Sequence, residues 1–368
     1  MPPATAAPTL GYITTKGAAL TQQIELDGHS LITPESMASE ISRNSGINDK
    51  TLDERTSIAW EGLKPDLDAA ANAFRNNMPA ERIGLEVTQR LHEVRKSVRV
   101  DVWRSLIPLV QLHPVATFFH EDPLTKWSFE KARGYSGDAH LLDLIYKHPK
   151  VAEEVAKASK LGRELYAFTT SAPSSLANCD RRDILAKHVD KTADRVGEGA
   201  EILSFAAGHL REAECSRALK EGKLKRWVAV DQDPLSLAEI EASYGDTAVQ
   251  AVNGSVRELL TKQLDLGTFD HVYASGIYDY LSDKAAVKMT QRLLTMLKPG
   301  GTFLFANYAY PVLVDGYLET FMDWTLLLRS EQDLRRIIKK SVNTDEWDAN
   351  LFFGHERNIV YVLLRRRD

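Results

Sequence analysis

The spacing of hydrophobic positions changes character twice along the chain. The first fifty residues, rich in Ala, Pro, Thr, Ser and Gly, carry weak periodicity and read as an irregular arm. From Leu52 to about Val115 apolar residues recur at helical intervals: Ile58, Leu63, Leu67, Ala71 and Phe74, then Ile83, Val87, Leu91, Val94, Val98, Val102, Leu106 and Leu109. This predicts an all-helical region. Pro114, Pro123, Gly134 and Gly137 then punctuate an aromatic-rich segment before a short amphipathic helix. A longer helix is expected from roughly Pro149 to Thr170, and after a Ser/Pro turn another around Asp183 to Val189.

After Gly197 the texture alternates. Strand-like runs EILSFAA, RWVAVDQ, AVQAVNG, FDHVYASG, GGTFLFANY and NIVYVLLRR stand between helix-like runs REAECSRALKEG, DPLSLAEIEASYG and DKAAVKMTQRLLTMLKPG. Regular alternation with apolar strand cores predicts an α/β fold, a doubly wound and mostly parallel sheet behind an N-terminal helical extension. The expected organisation is an arm over 1–50, a helical cap or lid over 51–190, and a ligand-binding catalytic domain over 191–368. Trp60, Phe74, Trp103 and Leu106 exceed what one helical layer needs, so either a homodimer through the helices or an extended cap over the substrate is expected to cover them.

Composition narrows the function classes. The net charge is −5, with acids and bases interspersed, so neither nucleic acid nor an anionic membrane is an expected partner. Arg365, Arg366 and Arg367 read as a solvated tail. Two isolated cysteines, Cys179 and Cys215, fit neither a disulfide framework nor a zinc site and suit a reducing cytoplasm. The N-terminus lacks the basic-then-apolar pattern of an export signal, and no run approaches a membrane span. The ten histidines are scattered without metal-ligand spacing, so no metal is expected.

In such a sheet the ligand crevice forms at the carboxyl ends of the first strands. The first turn, FAAGHLRE, holds one glycine, Gly208, ahead of a helix expected to begin near Leu210 with its dipole toward the crevice. Alone, this loop reads equally as a structural turn. Asp231 follows 23 positions later at the tip of the second strand, where a carboxylate accepts both hydroxyls of a ribose. Asp233 before Pro234 reads as a helix N-cap. Asn253, Gly254 and Ser255 end the third strand and suit an adenine edge. Four consecutive small or polar strand tips together favour a nucleoside cofactor, with Ser204, Ala206, Gly208, Asp231, Gln232, Gly254, Ser255, Ser275 and Gly276 facing it.

LKPGGTFLFANY, after an acid-tipped second strand and FDHVYASG, resembles the class I S-adenosylmethionine-dependent methyltransferases, in which a Pro-Gly-Gly turn precedes a hairpin strand. KARGYSGDAHLLDLIY, ASGIYDYLSDKAAVKMTQRLL and DWTLLLRSEQDLRRI are similar to the bacterial branch associated with biosynthesis of 3-hydroxy fatty acid methyl ester signals. The resemblance covers about Trp127 to Asp368. It implies S-adenosyl-L-methionine as cofactor and methyl transfer to a carboxylate. The first turn departs from the branch's glycine-rich pattern: Ala206, Ala207, His209 and Leu210 stand among the retained Gly208, Arg211 and Glu212. Alanines still admit a cofactor without phosphates and disfavour a dinucleotide. In RGYSGD, Arg133 and Tyr135 are expected to fold over the cofactor with Asp138; the alternative is a glycine turn capped by Asp138.

Methyl transfer to a carboxylate needs no general base, whereas a hydroxyl or protonated amine does. His209, Tyr278 and Asp279 are the nearest candidates, each also readable as structural. Asn307, Tyr308, Tyr310 and Trp324 are the substrate-side candidates; at helical spacing core packing is the better reading for both Phe321 and Trp324. The leading expectation is a methyltransferase acting on an oxygen of a small, partly apolar metabolite. N- or C-methylation or another sulfonium-dependent reaction of specialised metabolism, and a catalytically inactive cofactor-binding partner protein, are the alternatives.

Overall fold

The computed structural model describes residues 49–367. The arm expected over 1–50 lies outside the described residues, apart from its last two positions, which open the first helix. The helical region comprises α1 (Asp49–Arg75), α2 (Ala80–Ser97), α3 (Val100–Gln111), α4 (Val115–Phe119), α5 (Pro123–Glu130), α6 (Ala139–Tyr146), α7 (Ala152–Lys157), α8 (Lys160–Ser171) and α9 (Pro173–Val196). The sheet region follows as β1 (Ala200–Phe205), α10 (Arg217–Lys220), β2 (Leu224–Asp231), α11 (Pro234–Tyr244), β3 (Val249–Asn253), α12 (Val256–Leu260), β4 (Phe269–Ala274), α13 (Asp283–Leu294), β5 (Leu297–Tyr308), α14 (Asp315–Thr320), α15 (Glu331–Ser341), β6 (Trp347–Phe353) and β7 (Ile359–Arg366).

The seven strands lie in the order β3-β2-β1-β4-β5-β7-β6. β1 to β5 are parallel, and β7 runs antiparallel to both β5 and β6. This is a Rossmann-like α/β fold, as the alternating texture predicts. Successive strand side chains point to opposite faces: Leu203, Phe205, Phe303 and Phe305 join α13 and α15 in one core, while Ile202, Tyr273, Leu304 and Ala306 join the N-terminal helices in the other. That second core runs without interruption from Leu63 to Tyr361, so the helical region packs as a layer of the sheet. The boundary expected at 190/191 falls inside α9, which packs on β1, β4 and β7. No helix among the described residues is long and apolar enough to cross a membrane.

Several elements differ from the sequence pattern, among them α12, α14 and α15, where no helix was expected. The helix expected over Pro149–Thr170 is broken, because the Ser159 hydroxyl accepts from Gly162 N–H and starts α8 afresh. The helix expected at Asp183–Val189 instead spans Pro173–Val196, with Pro173 in its first turn. The run after Gly208 forms a 3-10 turn, Arg211–Cys215, and then the single turn α10 capped by Ser216. β6 was not expected; it is an edge strand whose side chains are half-buried or exposed, so it lacks an apolar pattern.

α14 anchors the chain after β5 into the helical layer. A Cβ on Gly316 would lie 2.8 Å from the backbone carbon of Leu91, so only glycine lets α14 rest directly on α2. Arg95 bonds Asp315 at 3.0 Å and Glu319 at 2.8 Å, His92 pairs with Asp315 at 2.8 Å, and the Trp103 indole donates to Glu319. Phe74, Trp103 and Leu106 are buried within the one chain and Trp60 packs against the same core. These four residues are thus packed within the chain, while Ile58, Leu85, Val100 and Leu112 of the same region stay exposed.

Replacing Arg95 by Met leaves two buried carboxylates without their guanidinium. We expect Arg95→Met to lower unfolding free energy by about 2–4 kcal/mol, read as a fall in the urea midpoint; a change within error would show that α14 is held by its apolar contacts alone.

Candidate functional site

A cavity of about 290 Å³ opens at the carboxyl ends of β1 to β5. This is within reach of the usual size of small-molecule sites. Its floor is built by Phe205, Ala206, Ala207 and Gly208 after β1, Asp231 and Gln232 after β2, Gly254 and Ser255 after β3, and Ser275, Gly276, Ile277 and Asp279 after β4. Its roof comes from the helical layer and the segment after α14, including Tyr135, Tyr146, Asn178, Arg181, Leu185 and Trp324, with Tyr308 at the end of β5 beside them.

Asp231 organises the floor. Gly208 N–H donates to its Oδ2 at 2.8 Å and Asp233 N–H to its Oδ1 at 2.9 Å, which ties the first turn to the second. Burial pushes its carboxyl up to about 6, against the two backbone donors that favour the anion. Each oxygen keeps a lone pair for a further donor. Gly208 has φ +55, and a Cβ there would lie 3.2 Å from that of Ala139, so the small turn residue also lets α6 close over the crevice. Ala206 holds a left-handed φ of 57 in the same turn, a strained conformation for a residue with a Cβ. A 3-10 turn follows Leu210, in place of the helix whose dipole was expected to face the crevice.

The strap from Lys131 to Asp138 seals one side. Arg133 pairs with Asp233 at 2.9 Å and donates to His209 Nε2 at 3.1 Å, while the Ser136 hydroxyl donates to the Asp323 carbonyl at 2.7 Å. Asp138 caps α6 and accepts from Trp127, so the glycine-turn reading and the lid reading both describe this segment. Tyr135 lines the cavity, its phenol held well above the usual range by burial and by Asp231 and Asp233.

The remaining expected residues separate clearly. Ser204 lies inside β1, away from the cavity wall. Ser255 reaches the wall while its hydroxyl caps α12 in a reciprocal bond with Glu258. Asp233 caps α11 as expected. His209 sits behind the floor: because a guanidinium only donates, its Nε2 accepts from Arg133, and Nδ1–H donates to Asp143 at 2.8 Å. Tyr278 is 0% exposed on the opposite face of the sheet, stacked on Phe305 and bonded to Thr290. Asp279 alone of the three base candidates faces the cavity; it accepts from Tyr308 N–H at 2.6 Å, and burial pushes its carboxyl up to about 6. Asn307 is buried under the wall, bonding Arg329 and the Leu327 carbonyl, and Tyr310 is 53% exposed. Tyr308 and Trp324 do line the cavity, and the Trp324 indole donates to the Tyr280 hydroxyl at 2.7 Å. Phe321 is core.

Sequence reasoning missed Tyr146, Asn178, Arg181 and Glu212 on the wall. A signal existed for two of them. Asn178 and Arg181 fall at helical spacing between Ala177, Leu185 and Val189, a polar interruption of an apolar stripe. Among the described residues no three His, Cys, Asp or Glu side chains come together as a metal cluster.

The fold has a counterpart among solved structures. A possible exported protein from Bordetella parapertussis matches with a TM-score of 0.55 at 15% identity, over 83% of this chain and 97% of that one. The fold is shared. More distant are a magnesium protoporphyrin IX methyltransferase, ChlM, from Synechocystis PCC 6803 with bound S-adenosylhomocysteine (TM-score 0.41, 10% identity, 61% of this chain and 97% of that one) and the N-methyltransferase NodS from Bradyrhizobium japonicum WM9 in complex with S-adenosylhomocysteine (TM-score 0.38, 14% identity, 61% and 100%). Their ligands belong to those proteins. No family model matches the chain, and no curated protein matches its sequence.

A Cβ on Gly137, whose φ is +75, would collide with the Tyr280 hydroxyl and with the Trp324 indole nitrogen. Gly137→Ala is therefore expected to lift the strap. Amide exchange over residues 131–138 should rise about tenfold or more, from a strain of about 1–3 kcal/mol, while the sheet amides keep their protection; unchanged strap exchange would place the seal elsewhere.

Proposed function

We propose that the chain is a methyltransferase that uses S-adenosyl-L-methionine to methylate a small, partly apolar metabolite at a carboxylate or another oxygen. The observation that carries the reading is Asp231: a buried carboxylate at the second strand tip, on the cavity wall, fixed by two backbone N–H groups and keeping acceptor capacity on both oxygens. This pair of acceptors fits the two hydroxyls of a ribose. The apolar floor of Phe205, Val256 and Ile277 beside it fits a purine, and the unpartnered Asn178 Oδ1 at the other end fits an ammonium donor. The sequence resemblance to class I methyltransferases supports the same assignment.

When bound, the cofactor supplies a methyl group on a sulfonium. The protein's own contribution is alignment and exclusion of water, through the strap and the Trp324–Tyr280 pair. Of the three base candidates only Asp279 reaches the cavity, and its oxygen is held by Tyr308 N–H. An acceptor that is already ionised, such as a carboxylate, asks least of this site. An N- or C-nucleophile would depend on Asp279, and a protein that only binds the cofactor would show no product with any acceptor. The free thiols of Cys179 and Cys215 support work in the reducing cytoplasm. A homodimer through the helical region has lost its argument from uncovered Phe74, Trp103 and Leu106.

Two measurements test this reading. Calorimetry with S-adenosylhomocysteine should give binding that Asp231→Ala weakens by about 1.5–3 kcal/mol; unchanged affinity in a folded variant would remove Asp231 from the ribose role. Affinity should also fall as pH drops through about 6, because protonation of Asp231 removes the charge that receives the hydroxyls, and the step should be absent in Asp231→Asn. A pH profile equal in wild type and Asp231→Asn would assign the titration to Asp279 instead.

A further inference from the structure

Among the described residues three arginines are buried: Arg181, Arg211 and Arg329. Two of them are saturated. Arg211 bonds Asp143, Glu214 and Glu239, and Arg329 bonds the Tyr278 and Leu281 carbonyls, Asn307 and Asp283. Arg181 differs. Its Nη1 donates to the Ser275 carbonyl at 3.2 Å, and no carboxylate lies within ion-pair distance of it. The hydroxyls of Tyr146, Tyr308 and Tyr361 are its main electrostatic neighbours, followed by Asp279 through space, and the Tyr361 hydroxyl has no hydrogen-bond partner. Arg181 lines the cavity beside Asn178, whose Oδ1 is likewise unpartnered.

Burying a cation without a counter-ion is costly, and a planar fork with unused donors on a cavity wall is matched best by a planar anion. The nearby acids Asp279 and Glu212 act on it only through space, with no hydrogen bond to the guanidinium. Glu212 accepts from the Tyr273 hydroxyl at 2.6 Å and Asp279 from Tyr308 N–H. They do set the charge that fits: two acids on the same wall favour a singly charged anion over a phosphate.

We propose that Arg181 receives a ligand carboxylate at the end of the cavity away from Asp231. In the methyltransferase reading, on which the choice of probes rests, two sources supply this group: the amino-acid end of the cofactor and the acceptor. The chemistry is the same for both, and the residue sets which molecules the site retains.

The test uses the full chain as wild type, Arg181→Met and Arg181→Lys, with calorimetry against S-adenosylhomocysteine, 5′-methylthioadenosine and decanoate, the last with and without S-adenosylhomocysteine. Methylthioadenosine keeps the nucleoside and lacks the carboxylate, so its affinity should be the same in all three proteins. Loss of about 10- to 100-fold in S-adenosylhomocysteine affinity in Arg181→Met assigns the cofactor as source. Unchanged S-adenosylhomocysteine affinity with loss of decanoate binding assigns the acceptor. Equal weakening of all probes, methylthioadenosine included, would make Arg181 structural and overturn the proposal, as would wild-type affinity for both carboxylates. Should Arg181→Met fail to fold, Arg181→Lys decides: it keeps the charge and loses the fork, and a selective loss for one carboxylate supports the role while no selective loss removes it. Wild-type protein that binds neither nucleoside but holds decanoate through Arg181 would refute the cofactor reading and keep this one; wild-type protein that binds no probe refutes both.

Discussion

The docking of α14 onto α2 fixes much of what surrounds the cavity. Asp315 and Glu319 are buried against the helical layer and share one guanidinium, that of Arg95. Because Gly316 brings the two backbones into contact, the chain leaving β5 has little freedom when it turns back toward the sheet. Asp323, Trp324 and Thr325 follow at once and form part of the cavity wall. The strap is then referenced to them, through the Ser136 bond to the Asp323 carbonyl and the packing of Gly137 on Trp324. One partly screened ion cluster, remote from the strand tips, therefore sets the position of the roof.

The floor was far more legible in the sequence than the roof. Strand runs ending in Asp231, Gly254 and Ser275 announce themselves through apolar periodicity and a polar tip, and all three residues line the cavity. Parallel strands buried on both faces leave a strong local signal. The edge strand β6 leaves none, because its side chains are half-buried or exposed. His209, Tyr278 and Asn307 looked like site residues because they sit beside strand tips. Period-2 alternation and the path of each loop turn them away, toward Asp143, Thr290 and Arg329. Nothing local distinguishes Tyr278 from Asp279, although only the second faces the cavity.

The roof is a long-range construction, and there the sequence is mute for a physical reason. CDRRDIL, Cys179 to Leu185, is a run of mixed charge. In the fold Asp180 turns out to bond the His355 N–H and Arg182 pairs with Asp183, while Arg181 alone turns inward. The inward turn follows from its place one helical turn from Ala177 and Leu185 on the buried face of α9. Helical phase carries that information, and residue type conceals it.

The uninterrupted core from Leu63 to Tyr361 has a kinetic consequence. Two lobes joined by a thin linker exchange their contents by hinge bending, but a layer sharing its interior with the sheet cannot swing away without exposing that interior to water. Traffic into and out of the crevice must then pass through a small local opening, and the Lys131–Asp138 segment is held mainly by polar bonds that water replaces at modest cost. Exchange of a small molecule with the crevice would follow how often those few bonds break together, so the rate of exchange and the affinity of the crevice are governed by different parts of the chain.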